Sequence, residues 1–405
     1  MRPIHMTAVL AAAVLAVTAC NAEKPTASGP AQQPSPSATF SSPTVTNRPA
    51  AEPTKGPPAK LDPKQQARLN EQLIKAAWRN DLRRAPALIA EGADVNAKDN
   101  TVQSAYLIST SEGYLELLDL TLKHRADVDS KDSFNGTGLI RAADRGHADI
   151  AGRLVQADIK INHINNLGWT ALHEAIILGD GSRRYVDTVR VLVAAGADLQ
   201  LPSQRDQISP LQHATSEGHN EIAKVLRTAL DADKPSKRQA ERRLLSAAEQ
   251  GDATAAALAI RAGARLETRD ERGRTPLLLA ATKDRPSVAR LLVYLGADPN
   301  ALDDQHDTPW LVTGVTGSVE MLEILLPARP DLTIRNRFGG TSLIPERTRT
   351  CGLRTPCGTH RDRGQSRQQA RLDRSPGSCD PRRRIEALPT DRHDLARRRR
   401  RGWHC

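Results

Sequence analysis

Short apolar stripes alternate with polar turns at a fixed spacing along most of this chain. Thr275-Pro276-Leu277-Leu278-Leu279-Ala280-Ala281, followed by Val288-Ala289-Arg290-Leu291-Leu292-Val293, predicts two helices of about two turns, each with one apolar face. Gly273 suits the turn ahead of them and Pro276 a first helical position. The closing motifs recur. GADVNAKD, RADVDSKD and IKINHIN end at Asp99, Asp132 and Asn165, and GARLETRD, GADPNALD and PDLTIRN end at Asp270, Asp303 and Asn336, so the period is 33 residues in both series.

Eight units can be laid out on this pattern, beginning near Leu69, Asn100, Ser133, Asn166, Gln204, Gln239, Glu271 and Asp304. The agreement of period, Gly, Thr-Pro-Leu and Gly-Ala-Asp positions closely resembles the ankyrin repeat, and the resemblance covers roughly Asp62 to Pro345. It implies an all-α repeat solenoid of helix-turn-helix units with projecting β-hairpin loops. It further implies protein binding on the concave face, where the position between the Gly and the Thr varies freely. Gln103, Gly136, Trp169, Ile208, Arg274 and Asp307 occupy that position, and all but the glycine are the candidate partner-binding residues.

The array divides into two blocks, 64–232 and 233–345, because the fifth unit lacks the closing motif and Asp233-Lys234-Pro235-Ser236-Lys237-Arg238 interrupts the pattern. The first and sixth units both lack the Thr-Pro-Leu opening and match one another as polar-faced caps. A solenoid end must shield its apolar face, so a second cap marks a second array or a fusion seam. About five extra residues at Gly179-Asp180-Gly181-Ser182-Arg183-Arg184 predict a longer loop in the fourth unit.

Residues 1–20 have the anatomy of a secretory signal, with Arg2, an apolar run from Ala8 to Val17 and small residues before Cys20. Val17-Thr18-Ala19-Cys20 resembles the lipobox of bacterial lipoproteins, which implies a lipid anchor at Cys20 and an extracytoplasmic, membrane-bound location. Residues 21–63, rich in Pro, Ser, Thr and Ala, read as a disordered tether. A coil of that length spans on the order of 35 Å.

Composition changes the picture chiefly at the other end. The net charge of +11 suggests nucleic acid or an anionic membrane, but residues 346–405 hold 17 arginines against 7 acidic residues, leaving the body nearly neutral. Four of the five cysteines, Cys351, Cys357, Cys379 and Cys405, also lie in that segment, which excludes a cysteine-ligated zinc site or a disulfide framework for residues 21–345. The repeat pattern stops after Phe338-Gly339-Gly340-Thr341-Ser342-Leu343-Ile344, which mirrors Phe134 to Ile140 and opens a ninth unit. Codons permitted for Glu346–Cys405, read one nucleotide later, spell out RGH, LGWTAL, ILGDGSRR and AAGA in one fixed register with Ala143–Asp198. The Arg-rich, disordered-looking tail therefore reads as a frameshift product, and nucleic acid is not an expected partner.

Catalytic chemistry finds no support in the motifs. His173-Glu174 lacks the second histidine of a zincin helix, there is no phosphate-binding glycine loop or nucleophile elbow, and Asp94, Asp198 and Asp298 recur with the turn. His147, His173 and His219 occupy positions where the ankyrin family uses histidine structurally. The expectation is a protein that is no enzyme, needs no metal or other cofactor, and binds an unidentified exported protein. The alternatives are an envelope lipoprotein hydrolase or metal-dependent enzyme, and nucleic-acid or anionic-lipid binding by the tail. Nucleotide sequencing across the codons for Leu343 to Thr350 tests the frame. The downstream DNA is expected to encode further repeats one nucleotide out of register, and DNA without them in any frame returns the tail to consideration as a binding element.

Overall fold

The computed structural model describes residues 61–342, which from Asp62 onward belong to one compact unit. The expected signal segment, Cys20, residues 21–60 of the expected tether and the arginine-rich tail lie outside the described residues, whereas Asp62 and Pro63 at the end of that tether cap and open the first helix. Sixteen helices among the described residues form eight pairs, one per unit. The first five pairs are α1 (Pro63–Trp78) and α2 (Arg84–Ala90), α3 (Ala105–Glu112) and α4 (Leu115–Lys123), α5 (Gly138–Arg145) and α6 (Ala148–Gln156), α7 (Ala171–Ile177) and α8 (Arg183–Ala194), α9 (Pro210–Ser216) and α10 (Asn220–Leu230). The remaining three are α11 (Lys237–Gln250) and α12 (Ala253–Arg261), α13 (Pro276–Thr282) and α14 (Pro286–Tyr294), α15 (Pro309–Thr316) and α16 (Val319–Leu325).

The first helix of most pairs starts where the sequence supplies a cap. Ser104, Thr170, Ser209, Ser236, Thr275 and Thr308 each accept a backbone N–H of the first turn on the side-chain oxygen. Pro210, Pro276 and Pro309 follow such caps at the first helical position. Helices this short are not stable alone in water. They persist because alanine and leucine pack in thin layers between neighbours, as with the fully buried Ala142, Ala143, Ala280 and Ala281. The two cap units carry the longest first helices, α1 and α11, and each begins a row.

The first helices stack as α1–α3–α5–α7–α9, and a separate row runs α11–α13–α15. The second row does not extend the first. Helix α12 packs on α8, and α14 packs on α6 and α8. Arg329, just past α16, reaches the Asp119 carboxylate of α4 at 3.5 Å. Unit order is thus reversed across the contact, so the second array folds back antiparallel along the first with second helix against second helix.

Small residues and polar clamps make that contact close. Gly152 of α6 lies under the C-terminal end of α14, where an added Cβ would stand 2.2 Å from the Tyr294 carbonyl oxygen. The Gln156 amide donates to that same oxygen at 2.8 Å. Arg261 of α12 donates to the carbonyls of Val193 and Ala197 at 3.1 and 2.9 Å. In the middle, the buried Arg290 of α14 meets Asp187 of α8 at 3.2 Å and Glu320 of α16 at 3.0 Å, while Arg190 holds the other Asp187 oxygen at 3.1 Å.

The extra residues of the fourth unit do not simply lengthen a loop. Arg183 and Arg184 enter α8, the longest of the second helices, and Arg183 reaches Glu320 of the second array at 3.0 Å. The insertion therefore serves contact between the arrays.

A Gly152→Ala exchange tests the contact. Within a helix such an exchange ordinarily stabilises by about 0.5–1 kcal/mol. Here the new methyl meets backbone that cannot step aside, and overpacking of about 1–3 kcal/mol outweighs the gain. Urea denaturation should show a lower midpoint for Gly152→Ala, and a raised midpoint would mean that the arrays are not pressed together at this point.

Candidate functional site

The projecting hairpins are built by one repeated device. Asp132 Oδ1 accepts the N–H groups of Phe134 and Gly136, both at 2.8 Å, and the Asp132 N–H donates to the Gly136 carbonyl at 2.9 Å. Asp99, Asn165, Asp270, Asp303 and Asn336 make the same bracket around Gln103, Trp169, Arg274, Asp307 and Gly340. The residue three after each bracket is left-handed, which suits Gly168 and Gly273 but strains Val102 at φ +62°. One antiparallel bridge, Lys131–Thr137, forms across these hairpins among the described residues.

A second device ties each hairpin to the next. Asn96 Oδ1 accepts the N–H of Asp127, Asn162 that of Asp198, and Asn300 that of Asp331, all within 2.7–2.8 Å. The recurring Asp94, Asp198 and Asp298 each accept the N–H two residues on. Their spacing is turn chemistry.

The candidate residues Gln103, Trp169, Ile208, Arg274 and Asp307 are all half-buried, each at the closing position of its hairpin. Gly136 is buried. Arg274 returns to its own bracket, pairing with Asp270 at 2.7 Å. Burial, reinforced by the neighbouring Asp303, pushes the Asp307 carboxyl above its ordinary range. Trp310 packs part-buried against the core and Tyr106 is wholly buried, its hydroxyl donating to the Val128 carbonyl at 2.9 Å.

Sequence reasoning missed the floor beneath those tips. Nine residues after the bracket, on the first helix of the unit, Arg141 pairs with Asp132 at 2.9 Å and Glu174 accepts from Asn165 at 2.6 Å. In the fifth unit Ser203 takes the bracket position and its hydroxyl lies 3.1 Å from His213 Nε2. All three helix residues are buried. Isolated buried charges are costly, and here each is met by the residue that also shapes the hairpin. The sequence signal for Arg141 and Glu174 was their shared offset of nine from the 33-residue marker.

Ser203, His213 and Asp206 form a trio of nucleophile-like types, but the geometry is not that of a triad. Asp206 hydrogen-bonds the serine and stands 3.7 Å from the same histidine nitrogen, so it sits on the serine side of the ring and not behind it as a triad carboxylate does. Ser203 is wholly buried. The trio closes the irregular fifth hairpin. His147 bonds the Ser111 carbonyl of the preceding unit at 3.2 Å. Among the described residues no group of three or more His, Cys, Asp or Glu is placed to hold a metal ion. No helix among them is long and apolar enough to cross a membrane.

His173 caps α7 by exchanging hydrogen bonds with Thr170. Burial, together with repulsion from His213, pushes its imidazole from the ordinary 6.5 down to about 4, against the pull of Asp206. Between those values the unfolded chain binds a proton that the folded chain refuses, so stability is full above pH 6.5 and falls as pH drops toward 4. Gln212 and Gln239 fill the same capping role elsewhere. His173→Gln should therefore keep the cap and flatten the thermal midpoint across this window. An undiminished slope in that variant would remove His173 as its source.

Comparison with known proteins agrees with this geometry. The family model described as "Ankyrin repeats (3 copies)" matches residues 106–203 and 244–336, one stretch in each array. The ankyrin repeat protein YahD of Escherichia coli (strain K12) is 37% identical over 141 residues, covering 35% of this chain and 70% of YahD. The mitochondrial disaggregase of Bos taurus is 30% identical over 179 residues, 42% of this chain and 25% of that longer protein. A solved ankyrin repeat domain from Acinetobacter baumannii AYE is 48% identical, covering 39% of this chain and 80% of its own, with a TM-score of 0.38. Ankyrin repeats are protein–protein interaction modules. With its 33-residue units, bracketed hairpins and paired helices, this chain belongs to the ankyrin-repeat family.

Proposed function

We propose that this protein is a membrane-tethered binding module that recruits or stabilises an exported protein through the concave face of its first array, without catalysing a reaction. The observation that carries the reading is the floor of Arg141, Glu174 and His213. These are buried polar groups that brace the hairpin residues Asp132, Asn165 and Ser203 from beneath, and two of those hairpins carry the half-buried Trp169 and Ile208. Hairpins held in place beforehand lose little freedom when a partner arrives. Helix α8, by contrast, is engaged with the second array and leaves its hairpin side for recognition. The anchor in this reading is a lipid on Cys20, and the position is the outer face of the cytoplasmic membrane.

Two measurements test it. Metabolic labelling with a clickable fatty acid should mark the full chain and fail in Cys20→Ala, and a soluble, unlabelled wild type would end the tethered reading. A photocrosslinking residue at position 169 should capture a discrete exported protein in cells, whereas one placed at Thr228 on α10 should not. Trp169→Ala should weaken that partner by about 2 kcal/mol, as buried aromatic anchors do. Equal capture from both positions would count against a concave binding face.

A further inference from the structure

The second array has a groove of its own, of about 860 Å³, between α11, the hairpin 268–274 and the end of α13. Its carboxylates are largely spent. Glu241 pairs with Arg265 at 2.7 Å, Asp270 with Arg274 at 2.7 Å, and Glu249 with Lys283 at 3.6 Å. Arg238, Arg242 and Arg272 line the groove, are exposed, and have no ion-pair or hydrogen-bond partner for their guanidinium groups among the described residues. Arg269 is fixed by the carbonyls of Gly273 and Leu302 at 2.6 and 2.5 Å, which orient its charge without neutralising it. Four guanidinium groups thus face one groove, while Glu271 is the single carboxylate of its lining without an ion pair among the described residues.

Resting on the reading of these arrays as protein-binding modules, we propose that this groove is a separate docking site for an extended, Asp/Glu-rich segment of a protein partner. The spacing suits such a chain. Arg238 and Arg242 stand one turn apart on the same face of α11, about 6 Å along the axis. An extended strand sets alternate side chains about 6.7 Å apart, so successive carboxylates meet successive guanidinium groups, and arginine accepts carboxylates in bidentate fashion. A single-stranded nucleic acid fits less well, because no aromatic side chain lines the groove for a base to stack on. Since the two arrays meet through their second helices, this groove and the first concave face can be filled together. The protein then bridges two partners.

The test uses the full chain and a polyglutamate peptide carrying a photocrosslinker, with adducts mapped by mass spectrometry so that any binding to the arginine-rich residues 346–405 is read separately. Adducts are expected on α11 and the hairpin 268–274, with affinity falling as salt rises. Combined Arg238→Glu, Arg242→Glu and Arg272→Glu exchanges should weaken groove binding at least about tenfold, and Trp169→Ala should leave it unchanged. The same three positions changed to Gln supply the reading if charge reversal impairs folding, which circular dichroism monitors. Adducts confined to 346–405, undiminished groove labelling in both arginine variants, or a single-stranded oligonucleotide that outcompetes polyglutamate in the groove would each overturn the proposal. Loss of partner capture at position 169 with polyglutamate binding intact would instead fell the reading of the first face alone.

Discussion

The fold depends on one side chain in six of the hairpins, the Asp or Asn that brackets them. Its oxygen holds the N–H groups two and four residues on, and its own N–H takes the carbonyl of the fourth. Without that bracket the segment between one helical pair and the next would leave several backbone donors without partners, and the following Ser or Thr cap would not be presented to its helix. Because the hairpin is self-contained, the next pair is launched at a fixed pitch, and alanine-rich helices too short to stand alone find their neighbours. The 33-residue period is the sequence trace of this geometry.

The second constraint is the fold-back of one array on the other. A buried Arg290 is tolerable because Asp187 and Glu320 meet it and Arg190 shares Asp187; removing one member of such a group leaves a charge without compensation, at a cost of about 3–5 kcal/mol. Gly152 sets the closeness and the polar clamp sets the register. The contact joins helices whose clamp residues are 103 positions apart in sequence, so ordering it takes more than the neighbour-to-neighbour stacking that suffices within either array.

The repeat, the brackets and the caps could be read from residues, because each is local or recurs. Asp270-x-x-Gly273-x-Thr275-Pro276 names its own turn and helix start. The fold-back could not be read. Gly152 looks like an ordinary weak helix position, and Asp187 and Arg290 look like solvent-facing charges, until the partner surface arrives. The insertion at Gly179–Arg184 does lengthen the connection between α7 and α8, but its contact to the second array could not be read, since Arg183 finds Glu320 only after that array has returned. The buried pairs of Arg141 with Asp132 and Glu174 with Asn165 could not be read either, because the turn alone already accounts for the two bracket residues.

That double use of the bracket also explains why the two grooves differ. In the third and fourth units the bracket side chain binds the hairpin with one atom and a helix residue with another, so Asp132 orients Arg141 and Asn165 orients Glu174. In the seventh unit Asp270 spends its second oxygen on Arg274 of its own hairpin. The helix position nine residues on is then free of any polar partner, and burial selects Leu279 there, with Val312 following in the eighth unit. A polar side chain at those places would lie buried without a bond, which costs more than an aliphatic one gains. The polar groups of the second array's groove therefore sit on its walls, as the exposed arginines of α11 and the hairpin. The contrast is sharpest between the third and seventh units, where the second oxygen of Asp132 turns toward the helix and that of Asp270 toward its own loop.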